Sequence, residues 1–295
     1  MKQSESRMPD KALTTTIQPR AEPADLILLD PKTVASILRR AISTPETQDC
    51  KPELITTRQE LSSTFGGTIT QFVTGYPVAY SSMLRKVKKI PNATQHKQRY
   101  FIFPNKTPEF NAHFPSRPGA HGLMFGMRPR MEHLLEDKNA SIFELFVPVN
   151  RAQCGVNMFT VPTSKVPVEY YGTYKLVKQG SMPAQDFARQ PQSVQEAIAS
   201  EIIEIGPGGP ACYLFMRARS ACRKQGRPID LEWSVDGQEA RRNLNTIGSD
   251  ARKKDIIRDL SHGTEKLPMF SLECIKYDKE LASSIIYHLS HKDEP

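Results

Sequence analysis

The stretch Val166–Val177, VPVEYYGTYKLV, constrains the fold more than any other part of this chain, because it alternates like a strand yet sets Gly172 among three tyrosines. Successive side chains of a strand point to opposite faces. Tyr170, Gly172, Tyr174 and Leu176 are therefore expected on one side, and Tyr171, Thr173, Lys175 and Val177 on the other. Glycine weakens a strand interior and is used where the strand bulges or bends, or where something comes close to the backbone. That something can be another strand, a loop or a ligand. We read Gly172 as the bend of a barrel strand, against which a neighbouring segment packs.

The other elements can be ordered around this strand. Residues 1–53 mix Thr, Pro, Ser and charge, and read as a flexible N-terminal arm with one short amphipathic helix. In LLDPKTVASILRRAI, Asp30 can cap, Pro31 can take the first helical position, and Val34, Ile37, Leu38 and Ile42 share a face. The domain proper is expected over residues 54–295. Thr57 and Glu60 have capping-box spacing, Leu61 and Phe65 lie four apart on the helix that follows, and Gly66 with Gly67 can end it. TITQFVTGYPVAY and QRYFIFP are β-rich, and GLMFGM is a short buried strand. In SIFELFVPV, Phe143, Leu145 and Val147 face one way while Ile142, Glu144 and Phe146 face the other. The period then becomes helical, with Val194, Ile198 and Ile202 four apart between Pro191 and Gly206. ACYLFMRARSAC reads equally as a strand or a helix. Residues 223–264 hold few apolar positions and read as a polar insertion, before LPMFSLECIKYDKELASSIIYHL supplies a strand and a helix.

Charge narrows the choice of partner. Forty Lys and Arg against 32 Asp and Glu leave a formal charge of +8, an excess that favours polyanions. The cations cluster at Arg85, Lys86, Lys88 and Lys89, at Arg217, Arg219, Arg223, Lys224 and Arg227, and at Arg241, Arg242, Arg252, Lys253 and Lys254. Five cysteines at long, unequal spacings without a CxxC pair speak against a disulfide framework or a zinc site. No apolar run approaches the roughly 20 residues of a membrane helix, and MKQSESRMPDK lacks the apolar core of a signal peptide. The expectation is a soluble intracellular protein, nuclear or cytoplasmic, with neither membrane contact nor cofactor.

Catalytic signatures are missing from the sequence. It holds no phosphate-loop pattern, no HExxH, no GxSxG and no metal-ligand spacing among its seven histidines. GPGGPACY follows a helix and so reads as a turn rather than a nucleotide loop. His113 and His121 flank Pro115, Arg117 and Pro118, so two imidazoles and a guanidinium could converge as a general base or an anion site. No carboxylate pair or cysteine stands beside them to complete an active site, and a non-enzymatic role is favoured. A flat apolar ligand fits better, since bases stack on aromatic rings and backbone amides beside glycine can reach base edges. Phe110, Phe114, Gly119, Gly122, Tyr170, Tyr171 and Tyr174 are residues of those types, although the same rings could fill a core.

TTRQELSSTFGG, FPSRPGAHGLMF, IFELFVPV, VEYYGTYKLVKQGSMPAQDFARQP and FSLECIKYDKEL, in that order, resemble an uncharacterised domain of unknown function widespread in mushroom-forming fungi. The resemblance runs from about Leu54 to Leu289 and implies no activity. More distantly, YYGTYKLV is similar to the Tyr-Asp-Gly strand of SRA domains, PUA-like barrels that hold a flipped methylated cytosine, and GAHGLMFGM to their glycine- and histidine-bearing strand. This second resemblance implies an α+β fold, a PUA-like (SRA-like) mixed β-barrel with peripheral helices. It also implies a nucleic-acid-binding protein, DNA ahead of RNA, that reads modified bases. On that reading Lys86, Lys88, Lys89, Arg217, Arg219 and Arg223 meet phosphates, while Phe114, Arg117, Gly119, His121, Gly122, Tyr170 and Tyr174 border the base. Two alternatives stand beside it: a protein-interaction module that recruits a partner through residues 30–42, and a hydrolase using His113 or His121.

Overall fold

The strand around Gly172 is the spine of the molecule. The computed structural model describes residues 29–42, 45–65, 73–76, 99–104, 113–127, 131, 135, 142–149, 163–228 and 237–291. Its strands are β1 (Ile55–Thr57), β2 (Val73–Tyr76), β3 (Arg99–Ile102), β4 (Gly122–Phe125), β5 (Ile142–Pro148), β6 (Pro167–Ser181) and β7 (Pro268–Lys276). They run β2-β3-β5-β6-β7-β4 across one mixed sheet, with β1 pairing β6 beside that path. Only β3 and β5 are parallel among the pairs described.

Along one edge β6 changes partner. Residues 167–169 pair with β1 and residues 173–181 with β7, while β5 runs along the other edge. Gly172 sits at the changeover with φ +126°, and a Cβ there would lie 2.8 Å from the Lys276 carbonyl oxygen. Opposite β5 the register skips from Gly172 to Tyr170, leaving Tyr171 as the extra residue of a bulge. Its carbonyl is not orphaned, because it accepts the Gly119 N–H at 2.9 Å.

The bulge inverts the expected alternation. Tyr171, Tyr174 and Leu176 join Phe143, Leu145 and Val147 in the larger apolar cluster. Tyr170 belongs with Val168 and Phe146 to a second cluster on the opposite face. Tyr170 and Tyr174, expected on one side, therefore stand on two. The faces of β5 are as its alternation implies.

Helices cover both faces. Over the larger cluster lie α1 (Pro31–Ala41), α3 (Ala184–Ala188), α4 (Gln192–Glu204), α5 (Ala211–Lys224) and α7 (Lys253–Ser261), through Ile37, Phe187, Ile202, Met216 and Leu260 among others. The helix α6 (Gly237–Ile247) joins through Leu244, which packs on Leu214 and Ala218 of α5. Over the second cluster lie α2 (Arg58–Phe65) and α8 (Lys279–Ser290), which contribute Leu61, Leu281, Ala282 and Ile285. The α+β class stands, and the barrel does not: the described sheet is an open path ending at β2 and β4. A barrel hides its inner face by closing on itself, whereas here each face is hidden by a layer of helices.

Local signals explain where helices start. Asp30 accepts the Thr33 N–H at 3.0 Å with Pro31 at the first position of α1. Thr57 and Glu60 exchange backbone-to-side-chain bonds of 2.8 and 3.1 Å at α2, and Asp278 accepts the Leu281 N–H at 3.0 Å. The ambiguous ACYLFMRARSAC stretch is helical. Residues 237–264, within the segment read as a polar insertion, supply two packed helices and the buried side chains of Asp255, Ile256, Asp259 and Leu260. Part of the expected arm also belongs to the body. Leu29 and Ile37 are buried, and each such side chain contributes about 1.5–3 kcal/mol.

Candidate nucleic-acid interface

The loop Phe114–Gly122 lies against β6, and what fills the space between them is protein. Tyr174 is 0% exposed and donates its hydroxyl proton to the Ala120 carbonyl at 2.7 Å. Tyr170, also 0% exposed, donates to the Glu144 carboxylate at 2.6 Å, which Thr173 reaches at 2.9 Å from the same side. Burial raises both phenols well above their ordinary range, with the Glu144 charge adding to the effect at Tyr170. Phe114 is buried in the same cluster as Tyr174.

The glycines serve this packing. A Cβ on Gly122 would stand 2.5 Å from Pro115, and one on Gly119, at φ +79°, 2.1 Å from the Thr47 carbonyl oxygen. Residues 45–50 cross the loop as a strap. Thr47 N–H donates to the Gly119 carbonyl at 3.1 Å, Glu46 pairs with Arg117 at 2.7 Å, and Asp49 pairs with Lys279. Arg117 is thus exposed but engaged, in a surface pair of the kind worth at most about 1 kcal/mol.

Both histidines accept backbone protons. His113 Nε2 takes the Leu29 N–H at 2.8 Å, and His121 Nδ1 takes the Cys274 N–H at 3.0 Å. An acceptor nitrogen is unprotonated, and burial lowers the His113 pKa from its usual 6.5. Each imidazole ties a distant segment, Leu29 before α1 or Cys274 of β7, to the loop, a structural task that leaves that nitrogen unable to act as a base. The apolar face of α1, expected to recruit a partner, packs on the chain's own core.

Expected to meet phosphates, Arg217, Arg219 and Arg223 of α5 instead turn inward. Arg217 is 6% exposed, and its guanidinium donates to the Ile205 carbonyl at 2.5 Å and to Asn245 at 3.2 Å. Burial lowers its pKa. Arg219 grips Glu265 by two bonds of 2.8 and 2.5 Å, and Arg223 bridges Glu265 and Asp259. Burial works against the Arg223 charge, but those two carboxylates outweigh it and raise its pKa. Asp259 also takes Ser220 and Arg258. Lys86, Lys88, Lys89 and Phe110 lie outside the described residues.

A group of uncommitted cations lies elsewhere on the helical layer. Arg227, Arg242, Arg252, Lys253 and Lys254 are exposed, and none of them has an ion pair among the described residues. The C-terminal end of α5 meets the lead-in to α7 here. Lys224 donates to the Asp250 carbonyl at 2.8 Å, and Gln225 bonds the Asp250 carboxylate. The nearby acid Asp255 is buried and accepts the Arg252 N–H at 3.0 Å. Arg242, Arg252, Lys253 and Lys254 belong to the third basic cluster of the sequence, and Arg227 to the second.

A family model described as Domain of unknown function (DUF6697) matches residues 55–288. The chain belongs to this family. The matched span takes in every strand from β1 to β7, most of both buried clusters and the basic corner of α5 and α7, and begins after α1. No curated protein and no solved structure matches the chain.

Proposed function

We propose that this domain is a non-enzymatic nucleic-acid-binding module, DNA ahead of RNA, that contacts the phosphate backbone through the basic corner where α5 meets α7. One observation carries the reading. Arg227, Arg242, Arg252, Lys253 and Lys254 are exposed without ion pairs among the described residues and outnumber the exposed acids Glu239 and Asp250 of the same segments, while Asp255, Asp259 and Glu265 are buried and engaged within the fold. Exposed, uncompensated cations attract a polyanion and release its counterions on binding. The class of partner rests on this charge, as the open sheet lends no support to the PUA-like, SRA-type resemblance read from the sequence. That resemblance does not supply a pocket here, because Tyr170 and Tyr174 are closed within the core; the proposed contact is to backbone rather than to a modified base. Such a module would work in the nucleus or the cytoplasm, wherever its nucleic acid is held.

The test is a titration of labelled single- and double-stranded DNA and RNA, with and without methylated cytosine, against the wild type and the Arg252→Glu/Lys253→Glu/Lys254→Glu variant. Binding by the wild type, indifferent to methylation and abolished in the variant, is the expected result. Equal binding by both proteins would remove the basic corner from the interface.

A further inference from the structure

The described part of residues 29–50 carries three acids, and all are engaged. Asp30 caps α1 through the Thr33 amide, Glu46 pairs with Arg117, and Asp49 pairs with Lys279. Its exposed cations Lys32, Arg39 and Arg40 have no ion pair among the described residues. The helix between them, PKTVASILRRA, contains no acid at all. Positions 32, 36, 39 and 40 recur at spacings of three and four, so Lys32, Ser36, Arg39 and Arg40 form one stripe. Each is exposed. The stripe lies away from Val34, Ile37 and Leu38, which pack on the core. Arg40 Nε donates to the Ser36 carbonyl at 3.2 Å, which holds that guanidinium along the stripe.

We infer that the outward stripe of α1, Lys32, Arg39 and Arg40, is a second phosphate-contacting surface for DNA. The inference rests on the nucleic-acid reading above and extends it to a separate element. Charge complementarity selects the occupant, since three exposed cations without ion pairs stand here against one exposed acid, the Asp30 cap, and the apolar face of the helix is already covered. Helix α1 packs on the same apolar cluster as α5 and α7, so both basic surfaces belong to the helical layer on one face of the sheet. Backbone contacts from two elements would add to the salt dependence without adding base preference.

The experiment measures anisotropy of a fluorescein-labelled duplex DNA against the full chain over a series of salt concentrations. It compares wild type, Arg39→Glu/Arg40→Glu, the milder Arg39→Gln/Arg40→Gln, and Lys175→Glu, an exposed residue on the opposite face of the sheet. Circular dichroism checks that each variant is folded. Charge reversal on α1 should weaken binding by about tenfold or more at low salt and flatten the slope of log K against log salt by roughly 0.9 for each phosphate that α1 ceases to neutralise. The glutamine variant should show a smaller effect in the same direction, and Lys175→Glu little change. An unaltered slope in both α1 variants, in a protein whose binding still disappears on reversal of residues 252–254, would overturn the inference and leave the basic corner standing. Absence of wild-type binding to any nucleic acid would overturn both. Competition by polyglutamate as effective as that by duplex DNA would assign the stripe to an acidic protein instead.

Discussion

Gly172 answers first to the Lys276 carbonyl of β7, which occupies the space where a side chain would start, with Cys274 Sγ next at 3.4 Å. Its φ of +126° adds a conformation that other residues adopt at a cost of order 1–3 kcal/mol. Gly172→Ala should therefore lower the urea midpoint by an amount corresponding to about 1–3 kcal/mol, and an unchanged midpoint would show that β7 yields freely. Arginine is the other informative residue type. Arg223 holds two buried carboxylates at once, while Asp259 also keeps Ser220 and Arg258 and Glu265 keeps Arg219, so Arg223→Ala removes one of several partners and should cost about 1–3 kcal/mol. Arg252→Ala, at an exposed position without an ion pair, should leave stability nearly unchanged while weakening DNA binding. Two arginines in neighbouring segments thus separate fold from function, measured by thermal melts and by titration on the same pair of proteins.

At the scale of elements, α1 and the strap depend on docking. An isolated helix of 11 residues is marginal in water, so burial of Leu29 and Ile37 must hold it. Ile37→Ala is expected to cost about 2–4 kcal/mol and to bring early proteolysis between residues 29 and 50. The His113 contact adds a pH dependence. Burial lowers the pKa of this imidazole, so the unfolded chain takes up its proton more readily than the folded one. The stabilisation is present above about 6.5, the unperturbed value, and is lost as pH falls below it. Between pH 7.5 and 5.5 the wild type should lose stability that His113→Ala, already weaker, does not lose; parallel pH profiles would contradict this sign.

Much of this level was legible in the sequence. The Asp30 and Thr57 caps, the Pro31 start and the two faces of β5 follow from spacing alone. The parity of β6 beyond Gly172 was not, because it depends on a register with β5 and β7 that no local pattern encodes. The helicity of α5 was hidden for a similar reason. Its apolar residues satisfy two periods, and the partners that use its arginines, Asp259 and Glu265, lie 36 to 46 positions away. The inward turn of Arg217, Arg219 and Arg223 was invisible on the same account, since charge in a sequence carries no direction.

Across the whole molecule the division of labour is by layer. One helical layer, α2 and α8, closes the second cluster, and the other buries the larger cluster while displaying the basic corner and the stripe of α1. Among the described residues no helix is long and apolar enough to cross a membrane, and the formal charge of +8 has to be met by solvent or by a polyanion. The central claim is that the polyanion is nucleic acid, gripped by its backbone. The most direct measurement is the affinity of the wild-type chain for duplex DNA as a function of salt. A straight decline of log K with log salt is expected, its slope corresponding to several phosphate contacts at roughly 0.9 each, with the same affinity for methylated and unmethylated duplexes. A flat salt profile, or no binding at low salt, would contradict it.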